Sequence, residues 1–368
     1  MLPVLFDEQS VNEYAKSIKL QPFKVKQIFH EIFKNQNIEL DQMTTLSKEL
    51  RTDLATKFRP ISLKVEKILE DKQTTKIAFS THDGHLIESV IIYHWQDEKY
   101  AKTDDAKLNR ITLCVSSQVW CPVNCLFCVT GKLGLKRNLT RDEIISQVLF
   151  ANNYIKNKFW KKDDNTLNAV RNVVFMWMWE PLLNYEEMKK SIIVMLQQDR
   201  LSLSKRHVTI STAWIIPWIQ KMIEDWIDIK LAISLHAPTQ KVREQLMPIA
   251  RKYPLNDLMK AIDDYVKVTD NRIFYEYIMI KGITDTTEMA HELVSLLRHR
   301  LAHVNLIPYN TNPAIKLEES EQRTITYFKK VLEEWWLTVT VRDSMWRDVK
   351  SACGQLWYEK IHDQKFNS

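Results

Sequence analysis

The feature that most constrains the fold is a regular alternation of short apolar strands with helical segments between residues 110 and 345. Parallel strands need long crossover connections, and helices usually provide them, so this order predicts an α/β fold with a mostly parallel sheet. We expect a partial (β/α) barrel, and a doubly wound open sheet is the alternative. The predicted strands are RITLCVSS, NVVFMWM, HVTIST, DIKLAISLH, RIFYEYIMI, HVNLIPY and LTVTVRD.

The first 61 residues follow a different pattern, in which apolar residues recur at helical spacing without strand-like alternation. This pattern predicts a small helical domain. Its middle segment interleaves lysines with Phe23, Phe29 and Phe33, which fits a solvated basic face and an RNA-contacting surface equally well. Residues 62–94 alternate apolar and polar side chains around a turn at 82–84, which predicts a β-meander, and a charged loop continues to residue 106.

Charge and hydropathy narrow the functional class only slightly. The chain of 368 residues carries a formal net charge of +6, which weakly favours a polyanionic partner. The N-terminal MLPVLFDEQS lacks the basic and apolar stretches of a signal peptide, and no segment approaches the ~18 apolar residues of a membrane span. We therefore expect a soluble, cytoplasmic protein with no membrane partner.

Three of the five cysteines, Cys121, Cys125 and Cys128, are crowded into CPVNCLFC, directly after the first strand of the predicted barrel. In an intracellular protein such crowding indicates metal or redox chemistry rather than a disulfide scaffold. Three thiolates can hold three corners of a 4Fe–4S cluster and leave one iron open. Zinc is the alternative because Cys3His sites exist, although the nearest histidines in sequence are His94 and His207.

A CxxxCxFC segment after the first barrel strand resembles the radical S-adenosylmethionine (SAM) superfamily. The surrounding motifs narrow the resemblance to the RNA adenine-C2 methyltransferases called RlmN, and it extends through nearly the whole chain, including the N-terminal PFKVKQIF. These motifs are TLCVSSQVWCPVNCLFCVTGKLGLKRNLT, NVVFMWMWEPLLNY, LSLSKRHVTISTAW, LAISLHAP, HVNLIPYN and SACGQL. We accordingly divide the chain into a helical accessory domain that contacts RNA (1–61), a β-meander and loop linker (62–106), a radical SAM barrel with a C-terminal catalytic cysteine segment (107–357) and a tail (358–368).

The resemblance implies roles for specific residues. Cys121, Cys125 and Cys128 would ligate a 4Fe–4S cluster. SAM contacts would fall on Trp179, Glu180, Ser211, Ser234, Leu235, His236 and Asn310. Independently of the resemblance, four of these polar residues (180, 211, 236 and 310) lie where predicted strands end, and barrel enzymes place their sites at that face. Taken singly, each has a plain structural interpretation: a helix cap for Ser211, a satisfied loop histidine for His236 and a turn for Asn310.

The resemblance also implies a mechanism that uses two thiols. Cys353, in SACGQL, would carry a methyl group taken from one SAM, and Cys114, in ITLCVSS, would resolve the covalent intermediate with RNA. Because adenine C2 is electron-poor, it cannot attack the SAM methyl group directly, and a second SAM would be cleaved reductively to a radical that activates the methyl group on Cys353. Glu88, in IESVIIYH, would accept the C2 proton, although a lone glutamate in an alternating strand more often faces solvent. Two SAM molecules would thus be used per turnover.

The composition departs from the family in one systematic way. The chain has 5 Gly and 12 Trp, whereas an average glycine usage of about 7% would give roughly 26. Trp218 replaces a small residue, and six tryptophans stand at family glycine positions: Trp120, Trp177, Trp179, Trp214, Trp336 and Trp346. Independent changes would each cost several kcal/mol, so we predict that one codon written as Trp is read as Gly by the source organism. Five further tryptophans are left unassigned: Trp95, Trp160, Trp226, Trp335 and Trp357.

The resemblance therefore predicts a radical SAM methyltransferase acting on C2 of an adenine in 23S (large-subunit) ribosomal RNA, with transfer RNA as a further substrate. It implies an electron donor, such as a flavodoxin or ferredoxin, whose identity the sequence leaves open, and we expect a monomer. Two alternatives remain. One is the related branch that methylates adenine C8, which the EPLLN run disfavours. The other is a non-catalytic RNA-binding relative, if the tryptophans are literal.

Overall fold

The computed structural model describes residues 2–95, 108–159, 170–176, 180–213, 215–311 and 315–342. Contacts divide the chain into two units. The first unit comprises Met1–Ser117, Leu139–Val174 and Glu186–Val208, and the second comprises Gln118–Asn138, Phe175–Tyr185 and Thr209–Ser368. The four-part division drawn from the sequence stays a prediction.

The N-terminal part of the first unit consists of three helices, α1 (Glu8–Ser17), α2 (Pro22–Phe33) and α3 (Lys48–Lys57). Helices α1 and α3 start where short polar side chains satisfy exposed amides. The Asp7 carboxylate accepts a hydrogen bond from the Ser10 amide (3.0 Å), and the Ser47 hydroxyl oxygen accepts one from the Leu50 amide (3.3 Å). The predicted helical N-terminal region is confirmed.

Four antiparallel strands follow: β1 (Lys64–Glu70), β2 (Thr74–Ser80), β3 (Leu86–Trp95) and β4 (Leu108–Cys114). In this sheet Glu88 lies opposite Ala78, and Val90 lies opposite both Lys76 and Cys114. Directly opposed residues of neighbouring strands point to the same face, so these five side chains share one face of the sheet.

Helix α4 (Arg141–Phe159) covers the other face of this sheet. The Phe79 ring packs edge-on against Phe150 of α4, with centroids 5.4 Å apart, and the Ser89 hydroxyl donates to the Gln147 carbonyl oxygen (2.6 Å). Because side chains alternate along a strand, the even-numbered residues of β2 and β3 face away from α4.

The remaining strands are parallel, as the alternation of strands and helices predicts. In the first unit β7 (Asn172–Phe175) pairs in parallel with β4. The second unit contains, in neighbouring order, β8 (Val208–Thr212), β9 (Lys230–Ser234), β10 (Ile273–Met279), β11 (Ala302–Pro308) and β12 (Thr338–Val341). A short hairpin pairs β5 (Gln118–Val119) with β6 (Arg137–Asn138).

Helices connect these parallel strands. They are α5 (Tyr185–Leu196), α6 (Ile216–Glu224), α7 (Gln240–Leu246), α8 (Leu255–Thr269), α9 (Thr287–Leu297) and α10 (Gln322–Glu334). Tyr277 of β10 packs against Phe328 of α10, with ring centroids 5.3 Å apart, so the odd-numbered residues of β10 face the helices and Glu276 faces away from them. The predicted α/β fold class is confirmed. None of the helices within the described ranges combines the length and apolarity needed to cross a membrane.

Candidate active site

The cysteine loop, residues 121–128, lies between β5 and β6 and is attached to the ends of neighbouring strands of the second unit. The Leu126 amide donates to the Leu246 carbonyl at the end of α7 (2.8 Å). The Phe127 ring lies edge-on to the His236 ring, which follows β9, with centroids 4.8 Å apart. Cys125 packs against a buried apolar cluster that includes residues from the end of β10. The fold therefore holds the cysteine loop at the carboxyl ends of the parallel strands.

Gly131 allows a close turn in this loop, where a larger residue would be crowded by backbone atoms. A Cβ atom at this position would lie 3.1 Å from both the Asn124 Cα and the Cys125 nitrogen. The backbone amides of Thr130 and Gly131 donate to the Cys128 sulfur. The close turn thus directs backbone N–H groups at a predicted cluster ligand, and such hydrogen bonds stabilise a thiolate.

Burial dominates the electrostatics of the three thiols. It raises the pKa of Cys121 to about 12, and it raises the pKa of Cys128 and, most strongly, that of Cys125, where the neighbouring thiols add to the effect. The nearby Arg243 guanidinium acts in the opposite direction on the Cys125 pKa. A metal that binds here must therefore displace protons from buried thiols.

Arg243 links the surroundings of Cys125 to the predicted SAM segment. Its side chain is fully buried, and Nε donates to the Leu235 carbonyl (3.0 Å) while Nη2 donates to the Ser234 carbonyl (3.4 Å). Burial lowers the pKa of this guanidinium, and the Cys125 thiol partly opposes the shift.

The predicted SAM segment, residues 234–236, has an unusual backbone at the end of β9. The amides of Leu235 and His236 both donate to the Glu276 carbonyl on β10 (3.0 Å each), and His236 has a left-handed φ of +55°. Burial, with a further contribution from Arg243, lowers the pKa of His236 to about 3, so its imidazole is neutral at physiological pH.

Two other predicted SAM contacts, Ser211 and Asn310, lie in or just after strands of the second unit. Ser211 lies within β8, so its interpretation as a helix cap is wrong. Asn310 follows the end of β11 by two residues.

Glu180 is buried and uses its carboxylate to join two strand ends. It accepts hydrogen bonds from the Thr212 hydroxyl (2.7 Å) and the Ala213 amide (2.6 Å), both directly after Ser211. Its own amide donates to the Gln118 side-chain oxygen (3.1 Å). Glu180 therefore holds the loop after β7 against the end of β8.

Among the buried polar atoms of the second unit that have no hydrogen-bond partner within the described residues are His236 Nδ1, Glu276 Oε2 and Tyr309 Oη. The strands β9, β10 and β11 are neighbours in the sheet. His236 lies just beyond β9, Glu276 lies within β10, and Tyr309 lies just beyond β11. Leaving such groups unpaired costs about 1–3 kcal/mol each, so their presence on three neighbouring strands favours a polar ligand there. A SAM molecule carries hydroxyl, amino and carboxylate groups that fit this requirement.

The donor set of the cysteine loop fits an iron–sulfur cluster, because Cys thiolates are the ligands that such clusters take and each iron binds a separate cysteine. The described residues contain no group of three or more His, Cys, Asp or Glu side chains gathered around one point. Cys121, Cys125 and Cys128 would hold three irons, and the fourth would remain open for SAM.

Glu88 and Cys114 lie together in the first unit, on the buried sheet face turned away from α4. A lone glutamate in such a strand usually faces solvent, but Glu88 is only 2% exposed. Its carboxylate forms an ion pair with Lys76 (3.0 Å). Its carbonyl accepts a hydrogen bond from the Ser116 hydroxyl (2.5 Å), next to Cys114.

Several predicted residues lie outside the described ranges. They are Cys353 and Trp179, with Trp160, Trp177, Trp214, Trp346 and Trp357 among the tryptophans. Their roles stay predictions.

Sequence reasoning missed four charged residues of these two regions: Lys76, Arg243, Glu276 and Arg342. Arg342 follows β12 and donates to Glu276 Oε1 (3.2 Å). A charged residue inside an apolar strand, as in KIAF and FYEYIM, was the available signal for Lys76 and Glu276. No local pattern distinguishes Arg243 or Arg342 from a surface arginine.

Comparisons with known proteins agree with this geometry. The family model for the radical SAM superfamily matches residues 115–294, and the model for the ribosomal RNA large subunit methyltransferase N-terminal domain matches residues 4–59. A crystal structure of a radical SAM methyltransferase from Sphaerobacter thermophilus superposes with a TM-score of 0.84 at 33% identity, covering 97% of this chain and 99% of that one.

Curated relatives match over almost the full length. The probable dual-specificity RNA methyltransferase RlmN 2 of Protochlamydia amoebophila is 37% identical over 98% of this chain and 95% of its own. The dual-specificity RNA methyltransferase RlmN of Psychrobacter arcticus is 39% identical over 94% of this chain and 84% of its own.

The fold and the cysteine loop define the class as a radical SAM enzyme, and this class implies a 4Fe–4S cluster and SAM as cofactors. The chain belongs to the RlmN family of RNA methyltransferases. The alternative of a non-catalytic RNA-binding relative is thereby disfavoured.

Proposed function

We propose that this RNA methyltransferase methylates C2 of an adenine in 23S ribosomal RNA and in transfer RNA, with Cys353 as methyl carrier and Cys114 as resolving thiol. The observation that carries the proposal is the buried face shared by Cys114 and Glu88 on neighbouring strands. A proton acceptor and a resolving thiol must reach the same covalent intermediate, so a common face is what the mechanism requires.

The residues of this chain have distinct tasks in the proposed reaction. The Cys353 thiolate takes a methyl group from SAM, because a thiolate is a far better nucleophile than a thiol. Once the activated methyl carbon has bonded to C2, Glu88 accepts the C2 proton. The Cys114 thiolate then attacks the Cys353 sulfur and forms a disulfide. The bond from that sulfur to the methyl carbon breaks with its electron pair on the carbon, which takes up a proton to complete the methyl group.

The cofactors of this proposal are a 4Fe–4S cluster on the cysteine loop and two SAM molecules per turnover. When bound, the cluster supplies the electron that cleaves SAM. The proposed SAM contacts are Glu180, Ser211, Ser234, Leu235, His236 and Asn310, with glycine in place of Trp179. The unpaired polar atoms of His236, Glu276 and Tyr309, on or just beyond β9, β10 and β11, support this position.

We further propose that the N-terminal helices contact the RNA, that a flavodoxin or ferredoxin supplies electrons, and that the enzyme is a cytoplasmic monomer. The net charge of +6 supports a polyanionic partner.

Nucleoside mass spectrometry of RNA treated with anaerobically reconstituted protein and SAM tests the function. We expect 2-methyladenosine from the unmodified enzyme, none from Cys353→Ala, and a covalent protein–RNA adduct from Cys114→Ala because no thiol resolves it. Both variants should retain their iron, which serves as the control. The detection of 8-methyladenosine instead, or normal turnover by Cys114→Ala without an adduct, would contradict the proposal.

A further inference from the structure

A buried ion pair adjoins the proposed resolving thiol. The Lys76 ammonium lies 3.0 Å from Glu88 Oε2, and both side chains are 3% exposed. Lys76 of β2 and Cys114 of β4 are both opposite Val90 of β3. The three functional side chains therefore occupy one buried patch on three consecutive strands.

Stability alone gives no reason for an ion pair at this place. Removing two charges from water costs several kcal/mol per ion, and replacing a buried pair by apolar residues is often neutral or stabilising. The side chains around the pair on the same face include Ala78 and Val90, so an apolar pair would suit this surface.

The pair does have a chemical use in the proposed reaction. A carboxylate in an apolar environment favours its neutral form, and a neutral carboxyl cannot accept a proton. An ammonium in contact stabilises the charged form and restricts the orientation of the carboxylate. We propose that Lys76 is the positioning residue that keeps Glu88 charged and oriented as the acceptor of the C2 proton.

This inference rests on the proposed function. In the step concerned, the C2–H bond of the adenine breaks and its electron pair stays on the adenine ring. The proton forms an O–H bond with the Glu88 carboxylate. Lys76 takes no part in the proton transfer itself. Loss of the positive charge should therefore slow proton removal without affecting the earlier steps.

The test uses the full-length protein with a reconstituted cluster and the variant Lys76→Met. We expect unchanged iron content, unchanged cleavage of SAM to 5′-deoxyadenosine and unchanged methylation of Cys353. Methylated RNA should form at least about 100-fold more slowly, which is the lower range for loss of a general base. A covalent protein–RNA adduct should accumulate even though Cys114 is present, and a purely structural lysine would not produce this adduct.

Two further variants and a control keep the result interpretable. Lys76→Arg retains the charge and should restore much of the rate. Lys76→Met combined with Glu88→Gln leaves no unpaired buried charge, so it should fold even where the single variant does not, and it should behave like Glu88→Gln alone. Lys156→Met is the control, because Lys156 in α4 is another partly buried lysine, and its ammonium donates to the Asn37 side-chain oxygen (3.0 Å).

The outcomes separate this inference from the proposed function. Wild-type product formation by Lys76→Met overturns the inference, as does a slow variant that forms no adduct while the earlier steps are intact. An added effect of Lys76→Met in the Glu88→Gln background also overturns it. If the unmodified enzyme makes no 2-methyladenosine, the proposed function itself fails.

Discussion

Three of the tryptophans have a backbone that strongly favours glycine. Trp120, Trp226 and Trp336 lie at φ of +65°, +54° and +63°, in the left-handed region where a side chain costs about 1–2 kcal/mol. Trp226 and Trp336 are 83% and 95% exposed, so no packing compensates for this cost.

Both of these exposed tryptophans follow a helix in the same way. After α10, the Trp336 amide donates to the Glu333 carbonyl (3.0 Å) and the Leu337 amide to the Leu332 carbonyl (3.3 Å). The amides of residues 226 and 227 make the equivalent pair of bonds after α6 (3.1 and 2.9 Å). This is the Schellman arrangement, whose left-handed position is usually glycine. Trp226, unassigned by sequence, therefore joins the positions where we expect glycine.

We predict that Trp336→Gly in the protein made with literal tryptophan raises the free energy of unfolding by about 1 kcal/mol, because glycine relieves the left-handed strain. Urea unfolding followed by circular dichroism measures the change. The neighbouring Trp335→Gly is the control and should give no gain, since Trp335 has an ordinary φ of −100°. Equal gains from the two variants would contradict the explanation.

We also predict glycine at these positions in the protein purified from its own organism. The expected positions are 120, 177, 179, 214, 226, 336 and 346. Peptide mass spectrometry should find each peptide lighter by about 129 Da per position, the difference between the two side chains. Trp95 offers a contrast, because its ring packs 6.2 Å from Phe159 and its Nε1 donates to the Lys72 carbonyl (3.1 Å). Intact tryptophan at 226 and 336 would argue against a recoded codon.

The cysteine ligands allow a direct test at single positions. We expect Cys121→Ala, Cys125→Ala and Cys128→Ala each to lose the cluster and SAM cleavage, because two thiolates leave the cluster under-ligated. Iron analysis and the yield of 5′-deoxyadenosine are the measurements. Cys114→Ala is the matched control with one thiol fewer and should retain both. A full iron content and normal SAM cleavage in all three variants would contradict the assignment of these cysteines as cluster ligands.

At the scale of elements, a row of polar side chains crosses the parallel strands of the second unit. Ser234, Glu276, Asn305 and Thr340 are register partners on β9 to β12. The Asn305 amide donates to Glu276 Oε1 (2.8 Å), and the Thr340 hydroxyl donates to Asn305. This row, with Arg342, links the predicted SAM segment to the end of β12.

Burial raises the pKa of Glu276, and Arg342 and Asn305 only partly oppose it. A carboxyl whose pKa is higher in the folded state than in the unfolded state stabilises the fold when the pH is below its unfolded-state pKa. That contribution is lost as the pH rises through its folded-state pKa. We therefore predict that the free energy of unfolding of Glu276→Gln rises relative to that of the unmodified protein as the pH increases from about 5 to about 8. The relative gain should be about 1.4 kcal/mol for each unit by which folding raises the Glu276 pKa. Urea unfolding across this range measures it, and a difference that is constant with pH would contradict it.

At the scale of the whole molecule, the excess of positive charge should appear in RNA binding. Each phosphate that the protein neutralises releases counterions, so we predict that the affinity for RNA falls more than about tenfold between about 50 and about 200 mM salt. Filter binding with a large-subunit RNA fragment measures this slope. An affinity independent of salt would show that charge contributes little to recognition.

The sequence by itself determined the class of fold and the chemistry of the cysteine loop. Strand–helix alternation depends on local apolar spacing, and a CxxxCxxC loop needs no distant residue to be recognised. The same locality explains why the meander and the parallel strands were predictable within a few residues.

Only the tertiary structure decided which distant residues act together. It brought Lys76 beside Glu88, and it brought Arg342, which lies 66 residues further along the chain, within hydrogen-bond distance of Glu276. It also identified Trp226 as a left-handed residue. Strand register and the direction of chain reversal set these contacts, and neither is encoded in the spacing of a single segment.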